Sequence, residues 1–575
     1  MADAAYDLVV RGGLVADGRG GEPRPADVAV AGGTVAAVGT VDGRGTEEVD
    51  ADGLLVTPGF VDIHTHYDGQ ATWDERMAPS SWHGVTTAVM GNCGVGFAPV
   101  RPDAHPRLIS LMEGVEDIPG AVLDEGIDWD WESFGEYLDA VARRRHDIDL
   151  CAQLPHGALR LYVMGERAAR LEEATPEDCA AMRALATEAL RDGAIGFSTS
   201  RTLNHRTADG DPTPSLRAST EELECIAQGV ADAGHGVVEL ISDFFPDTDG
   251  EFELVRAMVA RTGVPLSLSL AQSHRHPDAW RDLLGRIEAA VAEGLPIRAQ
   301  VAPRPVGIVI GLQSSFHPLL GLHAYADVRA KPVTEQAAAL RDPAFRARLL
   351  TEMTAPAAGG DQGRRRATDY TRLFPLGAVP DYEPAAETSV ERLAAARGTD
   401  PAELLLDLLS ENEGRNFLYT PFSNYADGNL DACGEMLAHP LTLFGLGDGG
   451  AHVGIISDAS FPTYALSHWA RDRAHGRMEV GQVVQQLTSA TAAAVGLHDR
   501  GVLAPGLRAD INVIDFDALT CLPPRMAYDL PAGGKRLLQG AQGYRATIVA
   551  GSVTYRDGEP TGALPGRLVR GGAHS

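Results

Sequence analysis

The sequence predicts an α/β fold: a (β/α)8 TIM barrel, a small β-sandwich domain built from both termini, and a large insertion after strand seven. Three observations carry this. Strand-like apolar runs alternate with helix-like segments through the middle of the chain, the signature of a parallel sheet wrapped by helices. Eight such runs can be counted, at residues 60–66, 85–90, 149–154, 194–198, 237–241, 265–270, 296–301 and 442–446. Short strands joined at Gly-Gly turns recur at both ends of the chain, at residues 6–15, 27–38, 510–515 and 545–555.

In chain order, residues 1–58 form the first part of the expected sandwich, 59–501 the barrel and 502–575 the second part of the sandwich. The first barrel strand is read from Leu54-Leu-Val-Thr-Pro-Gly-Phe-Val-Asp-Ile63, an apolar run suited to burial on both faces. A helix over 175–192 opens with Thr175-Pro-Glu-Asp, with proline in the first turn, and Ser219-Thr-Glu-Glu resembles a second capped start. The seventh and eighth strands stand much further apart than one helix requires. Residues 305–440 between them contain helical stretches at 342–353 and 400–409, so a helical lid or substrate wall is expected there. A peripheral helical decoration is the alternative.

At 575 residues the chain exceeds one compact core. Its 44% hydrophobic and 22% charged residues are those of an ordinary globular protein, and no apolar run is long enough to span a bilayer. A formal net charge of −30 argues against nucleic acid and anionic membrane as partners. The start, Met-Ala-Asp-Ala-Ala-Tyr-Asp, lacks the basic and apolar regions of a signal peptide, and the six cysteines have no paired spacing. Both readings point to a cytoplasmic, reducing location.

The chemistry concentrates in Phe60-Val-Asp-Ile-His-Thr-His-Tyr-Asp-Gly69. Alternate residues of a strand point the same way, so His64 and His66 can grip one metal ion; two core histidines that happen to alternate are the competing account. The second strand ends in Met90-Gly-Asn-Cys93-Gly, a glycine-rich turn at the barrel mouth. A thiolate there is a soft ligand for zinc, and an inert buried thiol is the alternative for Cys93.

These segments, together with Gly84–Pro99, Gly447-Asp-Gly-Gly-Ala-His452 and Gly501–Asp515, resemble the amidohydrolase superfamily, and within it the D-aminoacylase (N-acyl-D-amino-acid deacylase) branch. The resemblance implies a metal-dependent hydrolase of a C–N amide bond acting on a small-molecule substrate. It implies that His64, His66 and Cys93 hold the metal and that Asp448, ending the eighth strand, is the catalytic proton shuttle. A carboxylate suits that role. Many binuclear relatives bridge two metals with a carbamylated lysine on the fourth strand. The only lysines here are Lys331 and Lys535, neither near that strand. The family also expects a metal-binding histidine on each of strands five and six, and here the pattern departs. Glu239 on the fifth strand is a substitute oxygen ligand, and His274 or His276 beyond the sixth are displaced ligands. The expected cofactor is therefore zinc or another divalent transition metal, one ion bound tightly and a second weakly or not at all.

His156 and Arg160, in Pro155-His-Gly-Ala-Leu-Arg160, resemble a family Gly-His-x-x-x-Arg segment and are candidates for substrate binding. So are Arg304 after the seventh strand, Ser198-Thr-Ser200 ending the fourth, and His452. An arginine in a closed pocket matches a carboxylate; a structural hydrogen-bonding role is the alternative for each. Two further functions stay open on this reading: a lyase or decarboxylase with an altered metal site, and a catalytically silent binding subunit. A homo-oligomer is compatible with the sequence.

Overall fold

The computed structural model describes residues 5–354 and 368–572; residues 1–4 and 573–575 of the expected terminal segments and 355–367 of the expected insertion lie outside the described residues. Among the described residues, β1 (Phe60–Asp62), β2 (Val85–Met90), β3 (Asp149–Pro155), β4 (Gly196–Arg201), β5 (Val237–Ser242), β6 (Leu266–Ser269), β7 (Ile297–Val301) and β8 (Thr442–Phe444) form one sheet in sequential order. Every neighbouring pair is parallel. All residues of β2 and β3 are buried, including the polar Thr86, Thr87, Asp149 and Gln153, as befits strands covered on both faces.

The sheet closes into a barrel at a seam between β1 and β8. No regular ladder forms there. A parallel bridge joins Thr65 to Gly449, the His66 amide donates to the Gly449 carbonyl at 2.7 Å, and the Asp448 amide donates to the His64 carbonyl at 3.0 Å. The expected first strand runs to residue 66, whereas β1 ends at Asp62. The Asp62 carboxylate accepts from the His64 amide at 3.1 Å, so a side chain takes the place of a ladder partner. Closure of the barrel is therefore what sets Asp448 against the two histidines.

Of the helices that connect β2, β3, β4 and β5, three bear on the site and its surroundings. α1 (His105–Glu116) lies between β2 and β3 in the chain and ends where Asp117 turns left-handed. α2 (Pro176–Asp192) starts with proline after Thr175, whose side chain accepts from the Asp178 amide in a capping box. α3 (Thr220–Ala233) is capped by Ser219, which accepts from the Glu222 amide.

The strands at the two ends of the chain join one nine-stranded sheet among the described residues, in which Ile511–Ile514 pairs with Leu55–Pro58 and with Tyr544–Val549. Leu8, Val10, Val28, Val30, Ile511 and Ile548 share its core. Between β7 and β8 the insertion has a separate core that includes Leu340, Leu349, Leu405 and Leu409. Its helices Pro343–Thr354 and Pro401–Ser410 begin one residue later than expected. Asp342 and Asp400 stay outside as caps, accepting from the Phe345 and Ala402 amides, each at 2.8 Å. Among the described residues no helix is long and apolar enough to cross a membrane.

Candidate metal centre

His64, His66 and Cys93 converge: one ligand atom from each lies within 4.8 Å of the others, and all three side chains are buried. His64 Nε2 stands 3.3 Å from Cys93 Sγ and 3.4 Å from Asp448 Oδ1. His66 Nε2 stands 3.8 Å from the same oxygen. Both imidazoles thus turn Nε2 toward Asp448. Their Nδ1 atoms face acceptors instead: Gln300 Oε1 at 3.1 Å for His64 and Glu116 Oε1 at 3.3 Å for His66. The hydrogen bond at His64 Nδ1 holds the proton there and leaves Nε2 free as a ligand, whereas His66 Nδ1 lies beside the Glu116 carboxylate without a hydrogen bond.

The turn carrying Cys93 is fixed from three sides. Gly91 has φ +79, and a Cβ there would lie 2.3 Å from the Gln153 carbonyl oxygen; at Gly94 (φ +67) it would lie 3.0 Å from Thr199 Cα. Ser198 Oγ accepts from the Gly94 amide at 3.0 Å and donates to the Gly91 carbonyl. The Cys93 amide donates to Glu239 Oε2 at 2.9 Å. Cys93, Asp448 and His452 all have positive φ, of 55°, 48° and 47°. Non-glycine residues tolerate that conformation only where surrounding structure enforces it, and such residues cluster at functional sites.

The electrostatics favour a cation. Burial raises the Glu239 carboxyl to about 8, Asp62 to about 7 and Asp68 to about 6. Burial, and then the charges of Glu239, Glu116 and Asp448, push the Cys93 thiol well above its usual value. Burial alone would lower His66, but Glu116 and Asp448 outweigh it and hold the imidazole at about 9. His64 falls to about 4, chiefly through burial. Burial would raise Asp448, yet its bond to His66 and the charges of His64 and His66 keep it below the usual carboxylate range. Glu116 Oε2, Glu239 Oε1 and Asp62 Oδ2 are buried without a hydrogen-bond partner. Two imidazoles and a thiol amid surplus carboxylate fit a zinc-like ion with a position left open.

Several expected site residues lie elsewhere. His274 and His276 are outside the three-residue group. The chain after β6 is drawn to the insertion: Ser273 bridges Ser423 and the Gln272 amide donates to Asn424 Oδ1 at 2.8 Å. His274 is bonded to Arg372 there, and His276 stacks on Phe245 at 3.7 Å. For His156 and Arg160, expected to bind substrate or to hold structural hydrogen bonds, the structure shows contacts of the second kind. His156 bonds Thr199 Oγ1 at 2.8 Å and Glu222 Oε1 at 2.9 Å, while Arg160 donates to Glu222 Oε1 at 2.7 Å and to the carbonyls of Pro214 and Glu172. These polar atoms are already engaged by the framework. Arg304 is likewise buried, paired with Asp458 at 2.9 Å and lying 3.6 Å above the Tyr382 ring. His452 stays at the site, with Nε2 3.6 Å from Glu116 Oε2.

Glu116, Gln300 and His205 were not anticipated. His205 bonds Ser200 Oγ at 2.9 Å, and burial together with His452 and His66 lowers it to about 3. Glu116 arrives from the end of α1, Gln300 from β7 and His205 from the loop after β4, and no local motif marks any of them.

A parallel eight-stranded barrel with a His-x-His pair and a cysteine at its mouth defines a class, and the amidohydrolase family model matches residues 47–555. The chain belongs to that family and is a metal-dependent hydrolase of carbon–nitrogen bonds other than peptide bonds. It is 28% identical to D-aminoacylase of Alcaligenes xylosoxydans xylosoxydans, over 98% of this chain and 97% of that protein. It is 26% identical to N-acyl-D-aspartate deacylase of the same organism, over 99% and 96%. A crystal structure of D-aminoacylase, described as defining a novel subset of amidohydrolases, matches with a TM-score of 0.65 at 25% identity, covering 98% of this chain and 100% of that one.

Proposed function

We propose that the protein is an N-acyl-D-amino-acid deacylase that works with one tightly held metal ion, zinc by the chemistry of its ligands. The convergence of His64, His66 and Cys93 beside Asp448 carries this reading. When bound, the ion supplies polarisation of the scissile carbonyl and a lower pKa for the attacking water. Asp448 Oδ1, unprotonated at neutral pH and faced by both imidazoles, takes the proton of that water and delivers it to the leaving nitrogen. Gln300 holds His64 in the ligating tautomer, and the Glu116 carboxylate beside His66 favours its positive charge and that of a bound cation.

A second ion has a poorer set of donors. β5 offers Glu239, already bonded to the Cys93 amide, and β6 offers Ser267, bonded to Gln300 at 2.9 Å, where the family resemblance leads one to expect imidazoles. The insertion serves as a substrate wall in this reading. The Ser315 hydroxyl bonds Asp117 at the end of α1, and the Val309 amide donates to the Ile455 carbonyl in the loop after β8.

The test is metal analysis of the purified protein combined with amine release from paired N-acetyl-D- and N-acetyl-L-amino acids. One equivalent of metal, lost in Cys93→Ala, with turnover of the D series is expected. Two equivalents retained in that variant, or no turnover of any N-acyl amino acid, would reject the proposal.

A further inference from the structure

We infer that Cys179 on α2 and Cys225 on α3 form an oxidisable dithiol site, closing to a reversible disulfide between the two helices. The register of the helix pair brings them together. Gly229 lies so close to α2 that a Cβ there would stand 2.5 Å from the Arg183 carbonyl oxygen and 2.9 Å from Ala186 Cβ. The Thr187 hydroxyl donates to the Gly229 carbonyl at 3.0 Å, and Arg183 bonds Asp232 at 2.7 Å. Both helices connect successive parallel strands, so they run the same way. One turn before Arg183 on α2 is Cys179, and one turn before Gly229 on α3 is Cys225. The two cysteines therefore sit one turn before a tight contact of the two helices, on the faces that the helices turn toward each other.

Accessibility favours this pair. Cys225 is partly exposed, whereas Cys93, Cys151, Cys433 and Cys521 are buried. Cys179 is only 8% exposed. Burial and the neighbouring Cys225 and Glu222 push its thiol up to about 11. Cys225 is therefore the sulfur that meets the oxidant, and Cys179 the one that resolves the product. With a small disulfide such as oxidised glutathione, the Cys225 thiolate attacks one sulfur and expels glutathione thiolate. The Cys179 thiolate then attacks the mixed disulfide and expels a second glutathione thiolate. Two protons leave the protein thiols, one S–S bond forms in the protein, and the small disulfide is reduced to two thiols.

The experiment uses the full chain loaded with metal, treated with oxidised glutathione under native conditions and mapped by non-reducing peptide mass spectrometry. The expected result is the loss of two free thiols per chain, recovery of the Cys179 peptide linked to the Cys225 peptide, and reversal by dithiothreitol. Oxidised wild-type protein should unfold at a higher temperature than reduced protein, while Cys225→Ser shows no such difference. Cys179→Ser should stop at a glutathione adduct on Cys225. Both thiols remaining free, a wild-type adduct that never resolves, or a link through any other cysteine would overturn the inference.

Discussion

Glu222→Gln separates a framework role for His156 and Arg160 from a substrate-binding one. Glu222 is buried and accepts from both side chains, so the substitution leaves the Arg160 guanidinium without its counter-charge. Breaking a buried pair in this way costs about 3–5 kcal/mol. Arg160 keeps its bonds to the Pro214 and Glu172 carbonyls, which favours the lower end, about 3 kcal/mol. The pH dependence has a definite sign. Burial would raise Glu222, but the bonds and charges of His156 and Arg160 more than offset it and hold the carboxyl below its ordinary value. Burial holds His156 below its ordinary value despite the opposing pull of Glu222. The network's stabilisation is thus full at neutral pH. It weakens below the ordinary histidine value of 6.5, where the unfolded chain takes up a proton that folded His156 refuses. It weakens again below the ordinary glutamate value of 4.5, until folded Glu222 itself protonates. Urea unfolding of parent, Glu222→Gln and Arg160→Ala across this range is the assay. Both variants should lose stability at neutral pH while metal content in the folded protein persists, and the acid step assigned to Glu222 should vanish in Glu222→Gln. Two variants as stable as the parent but with a raised KM would refute the framework assignment.

Asp448→Asn removes the basic oxygen beside both imidazoles and should lower kcat by about 10²-fold or more, with metal retained; near-normal turnover would show that another group moves the proton. Gln300→Leu and Glu116→Leu, which remove the side-chain oxygens facing Nδ1 of His64 and His66, should each weaken metal affinity by about 10- to 100-fold in a chelator competition, with unchanged circular dichroism. Gly91→Ala should reduce metal content, because its Cβ meets the Gln153 carbonyl oxygen and displaces the turn carrying Cys93; full occupancy would mean that the turn adapts.

The barrel was legible because its strands are mostly buried and appear as short, largely apolar segments alternating with helical ones; β2 and β3 coincide with the expected segments to within one residue. His64, His66 and Cys93 were legible because each stands in a short contiguous motif whose local geometry suffices to place it. The remaining polar residues of the site depend on contacts between distant elements. Glu116 is an ordinary acidic residue at a helix end until the left-handed turn at Asp117 and closure of the seam bring it under His66 and His452. The same dependence governs the candidates that lie away from the three-residue group. His156 and Arg160 follow a strand at the mouth of the barrel, where a sequence motif suggests substrate contact. Yet Glu222, from α3 far along the chain, turns inward and engages both. His274 directly follows Gln272 and Ser273, which the insertion engages through Asn424 and Ser423. A buried polar side chain must be partnered, and where its partner lies in another element, the motif reports that the residue matters without reporting to which neighbour. The convergence of residues adjacent in one strand or turn can therefore be read from such motifs, whereas the neighbours of the rest are decided only by closure of the barrel.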